Sequence, residues 1–153
     1  MSQYFINLTN EIAVITLTRI PNDIYYISKI FTKIADRNIN VDIITKTSVY
    51  KDEINIIFTI PEDDITLLLE ATESLREFIP CMLTEITSGF SKISLTGIYS
   101  VNKADILSDF FKTANIYNIN ILTVSTSENE ISVLIESDNA SKFKDTIKEI
   151  YKK

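Results

Sequence analysis

One stretch of the chain is used twice. Ile30 to Ile44 reads IFTKIADRNINVDII, and Phe110 to Val124, eighty positions later, reads FFKTANIYNINILTV. In both, an amphipathic helix ends at an asparagine, Asn38 or Asn118, and Ile-Asn followed by a β-branched residue opens a strand (Ile39-Asn40-Val41, Ile119-Asn120-Ile121). A helix, a stop and a buried strand repeated at a fixed offset indicate an internal duplication. The 153 residues then form two copies of a small α/β module. At about 75 residues each, the copies are short of core on their own and need each other or a partner.

In chain order, Gln3 to Leu8 is a short strand bounded by Thr9-Asn10, and Ile12 to Ile20 is a strand buried on at least one face. Pro21-Asn22-Asp23 is a turn that caps a helix whose apolar stripe is Ile27, Ile30, Phe31, Ile34 and Ala35. Asn38 stops it, because asparagine tolerates the left-handed conformation. The strands Ile39 to Thr47 and Ile54 to Ile60 flank a hairpin link at Tyr50-Lys51-Asp52-Glu53. Pro61 to Asp64 opens a second helix with Ile65, Leu68, Leu69 and Thr72 inward, and Met82 to Ile86 is a fourth strand. The second copy repeats this with Ile93 to Tyr99, a helix from about Lys103 to Tyr117, strands Ile119 to Thr126 and Ile131 to Ile135, and a last helix capped by Ser137-Asp138. That helix carries Ala140, Phe143, Ile147, Ile150 and Tyr151 at helical spacing. The second copy lacks a fourth strand while the amino terminus has one to spare. Residues 9–87 therefore form the first module, and 88–153 the second, completed by the strand 3–8, which removes an exposed sheet edge.

Composition excludes several classes. With 15 basic and 21 acidic residues, net charge −6, the chain offers no footprint for nucleic acid. No apolar run approaches the roughly 20 residues of a membrane span, and the first residues lack the pattern of a signal peptide. The single cysteine, Cys81, lies in an apolar stretch and reads as a buried small hydrophobe; with no partner for a disulfide it favours a reducing compartment, and we place the protein in the cytoplasm. There is no histidine, the usual general base and metal ligand, so no catalytic residue, metal or cofactor is expected. Asp63-Asp64 is explained by its place at a helix start.

The order strand, helix, strand, strand, helix, strand with its Ile-Asn-Val junction resembles the ACT domain, and the tandem resembles the regulatory region of aspartate kinase. Three phrases carry the likeness: Asn38-Ile39-Asn40-Val41-Asp42-Ile43-Ile44, Ile56-Ile57-Phe58-Thr59-Ile60-Pro61 ahead of an acidic helix start, and Ser125-Thr126-Ser127-Glu128 leading into Ile131-Ser132-Val133. They are similar to the family's NINVDMI, ISFTVP and STSEIKISV segments, and the likeness runs from Ile12 to the end. It implies an α+β fold of two ferredoxin-like βαββαβ modules, with antiparallel sheets and helices on one face. It also implies a non-catalytic part that binds an amino acid, lysine or threonine, and biases a kinase catalytic subunit in amino-acid biosynthesis. A homodimer is expected, since short modules leave edges and apolar surface to cover. Nothing in the chain resembles the family's catalytic KFGGTS segment, and only Gly89 and Gly97 are glycines.

Carried over by position, the ligand residues are Asn22, Asp23, Asp42 and Lys46 in the first copy and Asn120, Ile121, Thr126 and Ser127 in the second. Plain explanations exist for each. Asn22 and Asp23 serve equally as a helix cap, and Asn40 and Asn120 as backbone partners at a tight junction. Thr126 and Ser127 serve as a strand end. Asp42 and Lys46, about 13 Å apart along a strand, are too distant to pair. Where the family has Pro-Gly at the helix start, this chain has Ile24-Tyr25 and Ala104-Asp105. Those side chains suit the alternative, a ligand-free structural module for protein interaction. A third reading is a fragment of a complete aspartate kinase.

Overall fold

The computed structural model describes residues 4–152. Among them lie six strands, β1 (Phe5–Pro21), β2 (Ile44–Lys46), β3 (Glu53–Pro61), β4 (Leu83–Thr96), β5 (Ile121–Thr126) and β6 (Glu130–Glu136). Four α-helices accompany them: α1 (Ile24–Ala35), α2 (Ile65–Leu75), α3 (Lys103–Ile116) and α4 (Ala140–Tyr151). They form two compact units. The first runs from Ile12 to Ser88, and the second joins the residues up to Glu11 to those from Gly89 onward. Strand order is β2-β3-β1-β4 in the first unit and β1-β4-β6-β5 in the second, so each long strand gives one part to each unit.

In the first unit the alternating residues Ala13, Ile15 and Leu17 of β1 face inward with Ile54, Ile56, Phe58 and Ile60 of β3. Ile30 and Ile34 of α1 and Leu68 and Leu75 of α2 close over the same cluster, so both helices cover one face of an antiparallel sheet. The second unit is built alike: Ile93 and Leu95 of β4 and Ile131, Val133 and Ile135 of β6 meet Ile106 and Phe110 of α3 and Phe143 and Ile147 of α4. Tyr4, Ile6 and Leu8 pack on this second cluster. Each fully buried side chain of this size contributes roughly 1.5–3 kcal/mol. These are the ferredoxin-like βαββαβ units expected of the ACT fold, α+β in class.

The duplicated stretch folds the same way twice. Asn38 and Asn118 are both left-handed, at φ 54° and 51°. In each case the next amide reaches back five residues, Ile39 N–H to Ile34 O and Ile119 N–H to Ala114 O, which satisfies a carbonyl the helix end leaves over. The hairpin link is a two-residue turn: Tyr50 and Glu53 exchange both backbone bonds, and Lys51 and Asp52 both have positive φ, as a type I′ turn requires.

Elsewhere the structure corrects the sequence reading. The stretches ending at Leu8 and beginning at Ile12 are one continuous strand, passing a left-handed Glu11 (φ 57°); Gln3 lies outside the described residues. Met82–Ile86 and Ile93–Tyr99 likewise merge into β4, which ends at Thr96 and passes Gly89 at φ 89°. A Cβ added at Gly89 would meet nothing within 4 Å, so the dihedral alone asks for glycine there. β2 is only three residues long, because the Thr59 hydroxyl accepts the Ile43 amide and breaks the regular ladder ahead of it. Leu69 is 51% exposed, and Ala71 and Leu75 complete the inner face of α2 in its place. Ser137 and Asp138 form a 3-10 turn in which the Ser137 hydroxyl meets that of Ser91, at 2.8 Å, instead of capping α4. Cys81 is exposed, because with Pro80 it forms the turn between α2 and β4 instead of packing inward.

Candidate functional site

In each unit the loop that opens the first helix is tied to the turn of the hairpin that follows. In the first unit Asp23 caps α1, its Oδ1 accepting the Tyr25 N–H at 2.9 Å. Beside it the Asn22 N–H donates to the Asp52 carbonyl, also at 2.9 Å, which fixes the loop on the turn between β2 and β3. In the second unit Asn102 caps α3 through the Ala104 N–H at 3.1 Å, the Lys103 ammonium donates to the Ser127 carbonyl, and the Gly97 N–H donates to Asn129 Oδ1 at 2.9 Å.

The hairpins close by one device. Thr47 donates its N–H to the Asn55 carbonyl at 2.9 Å while its hydroxyl accepts the Asn55 N–H at 3.0 Å. Ser127, eighty positions on, does the same with Glu130, at 2.8 and 3.1 Å. The Ser127 side chain is thus occupied, and its carbonyl faces the helix start. Thr126, next to it, is exposed and pairs with Ile131.

Among the other sequence-derived residues, Lys46 is exposed on β2 opposite Ile56. Asp42 is exposed too, but it lies two residues ahead of that strand with its N–H held by the Thr59 carbonyl at 3.2 Å, whereas the tie of Asn22 to Asp52 lies at the hairpin turn beyond its other end. Asn120 is exposed, whereas Ile121 turns inward, pairing with Ile135 and packing on the core, which leaves only its backbone for a ligand. The structure therefore groups Asn22 and Asp23 in one unit, groups Thr126 and Ser127 with a helix start in the other, and leaves Asp42 apart. Sequence reasoning missed Thr47, Thr59, Asn102, Lys103 and Asn129. Of these, Thr47 carried a signal, since it matches Ser127 at the repeat offset; Asn102 carried another, as a capping residue one position before a helix.

Chemically, each site combines a helix amino terminus, which favours a carboxylate, with the outermost strand of its sheet, β2 or β5, whose outer backbone groups no other strand among the described residues takes up. The first adds the exposed carboxylate of Asp23, an acceptor for an ammonium. Tyr25, half-exposed, stands at the first helix start with the Lys29 ammonium 5.5 Å from its ring. Among the described residues no three metal-ligating side chains converge, and no helix is long and apolar enough to cross a membrane.

No family model matches the chain. It is 28% identical, over 87% of its own length, to the aspartokinase of Bacillus sp. strain MGA3. The match takes in 32% of that protein, and the chain spans about a third of the length of the curated relatives it matches. Among solved structures it superposes on the ligand-free regulatory subunit of aspartate kinase from Thermus thermophilus with a TM-score of 0.85 at 24% identity, covering 96% of this chain and 97% of that one. It also superposes on E. coli aspartokinase III in complex with lysine and aspartate, with a TM-score of 0.67 at 21% identity, covering 97% of this chain and 33% of that one.

Proposed function

From its homology to the regulatory region of aspartokinases, we propose that the chain is a non-catalytic regulatory module that binds an amino acid and biases the conformational equilibrium of an aspartate kinase catalytic part. The observation that carries this reading is the near-complete, reciprocal overlap with a regulatory subunit of aspartate kinase. Lysine is the favoured effector over threonine. The first site offers the Asp23 carboxylate, with Asp42 set apart at the other end of the outer strand, and lysine brings a second ammonium that threonine lacks. Asn22 and Lys46 supply further contacts in the first unit; Asn120, Ile121, Thr126 and Ser127 belong to the separate, near-neutral candidate site of the second unit. A bound effector that favours one state shifts the partner by its difference in affinity between states, and the coupling is reciprocal.

Thermal unfolding of the purified chain with millimolar lysine, threonine or neither tests this. A ligand at 100 times its dissociation constant adds about 2.7 kcal/mol to a native state that alone binds it. We expect a lysine-selective rise in Tm, reduced in Asp23→Asn, a change that keeps the cap and removes the charge. The opposing reading, a ligand-free interaction module, is favoured by Tyr25 and by the Asp23 carboxylate already holding an amide; a folded protein with no shift for any amino acid would establish it. A homodimer belongs to the proposal, and a strict monomer at micromolar concentration in sedimentation would refute that part.

A further inference from the structure

A second surface, between the start of β1 and α4 in the second unit, has the features of a peptide groove. The segment Phe5–Glu11 of β1 has β4 on one side, while β3 pairs only with Ile12 to Pro21, so among the described residues no strand takes its other edge. Beside Tyr4, Phe5 and Ile6 lies a cleft of about 580 Å³, whose opposite wall is α4 with Lys144, Lys148 and Lys152. Phe5 is 53% exposed there. Lys152 is held by Glu149 at 2.6 Å, and the same carboxylate also feels the charge of Lys148; Lys144 and Lys148 have no carboxylate within 4 Å among the described residues. Three cations along one wall of a cleft are a local reversal in a chain of net charge −6.

We propose that this groove binds an extended acidic peptide segment as an added strand on the Phe5–Glu11 edge, with its carboxylates on alternate residues facing Lys144, Lys148 and Lys152. The spacing supports it. Lysines four apart on a helix recur about every 6 Å, and alternate side chains of a strand recur about every 6.6 Å, so Glu-x-Glu-x-Glu stays in step with the row. The unpaired edge supplies backbone donors and acceptors for β-augmentation, and the half-exposed Phe5 ring gives the intervening side chains an apolar contact. This surface is separate from the amino-acid sites and does not depend on them.

The test is fluorescence anisotropy of the full chain with a labelled, end-blocked peptide alternating glutamate and valine. Saturable binding is expected, weakened at least about tenfold by Lys144→Glu with Lys148→Glu and lost when proline replaces the valines, since proline cannot donate to a ladder. Those amides between Phe5 and Leu8 that point away from β4, every second one, become protected from hydrogen exchange in the complex. Absence of binding, indifference to the lysine reversals, or equal binding of the proline peptide would each overturn the proposal. Displacement by citrate at concentrations similar to the peptide would do so as well, by showing a site for small polyanions.

Discussion

Asp23 and Asn102 hold the same place in their units, each accepting the amide two residues on, at 2.9 and 3.1 Å, yet one is anionic and the other neutral. The difference extends outward. Ile12–Ser88 carries seven basic and twelve acidic residues, while the rest of the chain carries eight and nine. The helix starts follow suit, with Tyr25 and the Asp23 carboxylate in the first unit, and in the second Lys103, clasped to the Ser127 carbonyl, offsetting Asp105 in the first turn of α3. One fold repeated thus presents an acidic loop that suits a cation and a near-neutral loop that does not. The scaffold tolerates this because the shared devices, the left-handed asparagine and the hydroxyl that closes the hairpin, lie away from the positions that differ.

The strongest way to separate the units is through their cores. Phe58 and Phe143 are both fully buried, and truncating either to alanine should cost about 3–5 kcal/mol. Hydrogen exchange should locate the loss in the first unit for Phe58→Ala and in the second for Phe143→Ala; equal loss in both units from either change would mean they do not unfold separately. The caps give a smaller effect of equal size on the two sides. Asp23→Ala and Asn102→Ala should each cost about 1 kcal/mol, and only the former should also reduce lysine binding in calorimetry. The smallest effect is alkaline and belongs to the second unit. Burial, aided by the bond from its hydroxyl to Asp109 Oδ2 at 2.8 Å, holds the Tyr151 phenol well above its ordinary range. A folded-state value above the unfolded one contributes stability in full below about pH 10 that is lost as the pH rises beyond it. Tyr151→Phe should flatten the fall in the second unit's stability above pH 10 and leave the first unit's profile unchanged.

What the sequence disclosed was local. Asn38 and Asn118 could be read as helix stops, and Lys51-Asp52 as a hairpin turn, because the chemistry that fixes them lies within five residues. The identity of α1 and α4 followed from apolar spacing for the same reason. What it hid was either long-range or dihedral. The Ser91 hydroxyl donates to Asn10 Oδ1 at 2.7 Å across 81 positions, and the Thr59 hydroxyl interrupts a strand 16 positions away; no periodicity announces either. Thr9-Asn10-Glu11 has the composition of a turn, yet the strand runs through it, with Glu11 absorbing the bend in one left-handed residue. Site residues divided in the same way: Asp23 was legible as a cap, whereas the attachment of Lys103 to Ser127 exists only once the hairpin has folded back.

The division of β1 and β4 between units bears on how the chain folds. Asn10 and Ser91 must meet although 81 positions separate them, and the entropy of closing such a loop grows with the logarithm of its length. Folding of Ile12–Ser88 changes that distance. With β1 and β4 already side by side in the first unit, the residues just outside it emerge as neighbours, and a contact remote in sequence becomes short in effective contact order. The second unit is in this sense a circular permutant, its two pieces joined covalently through the whole of Ile12–Ser88.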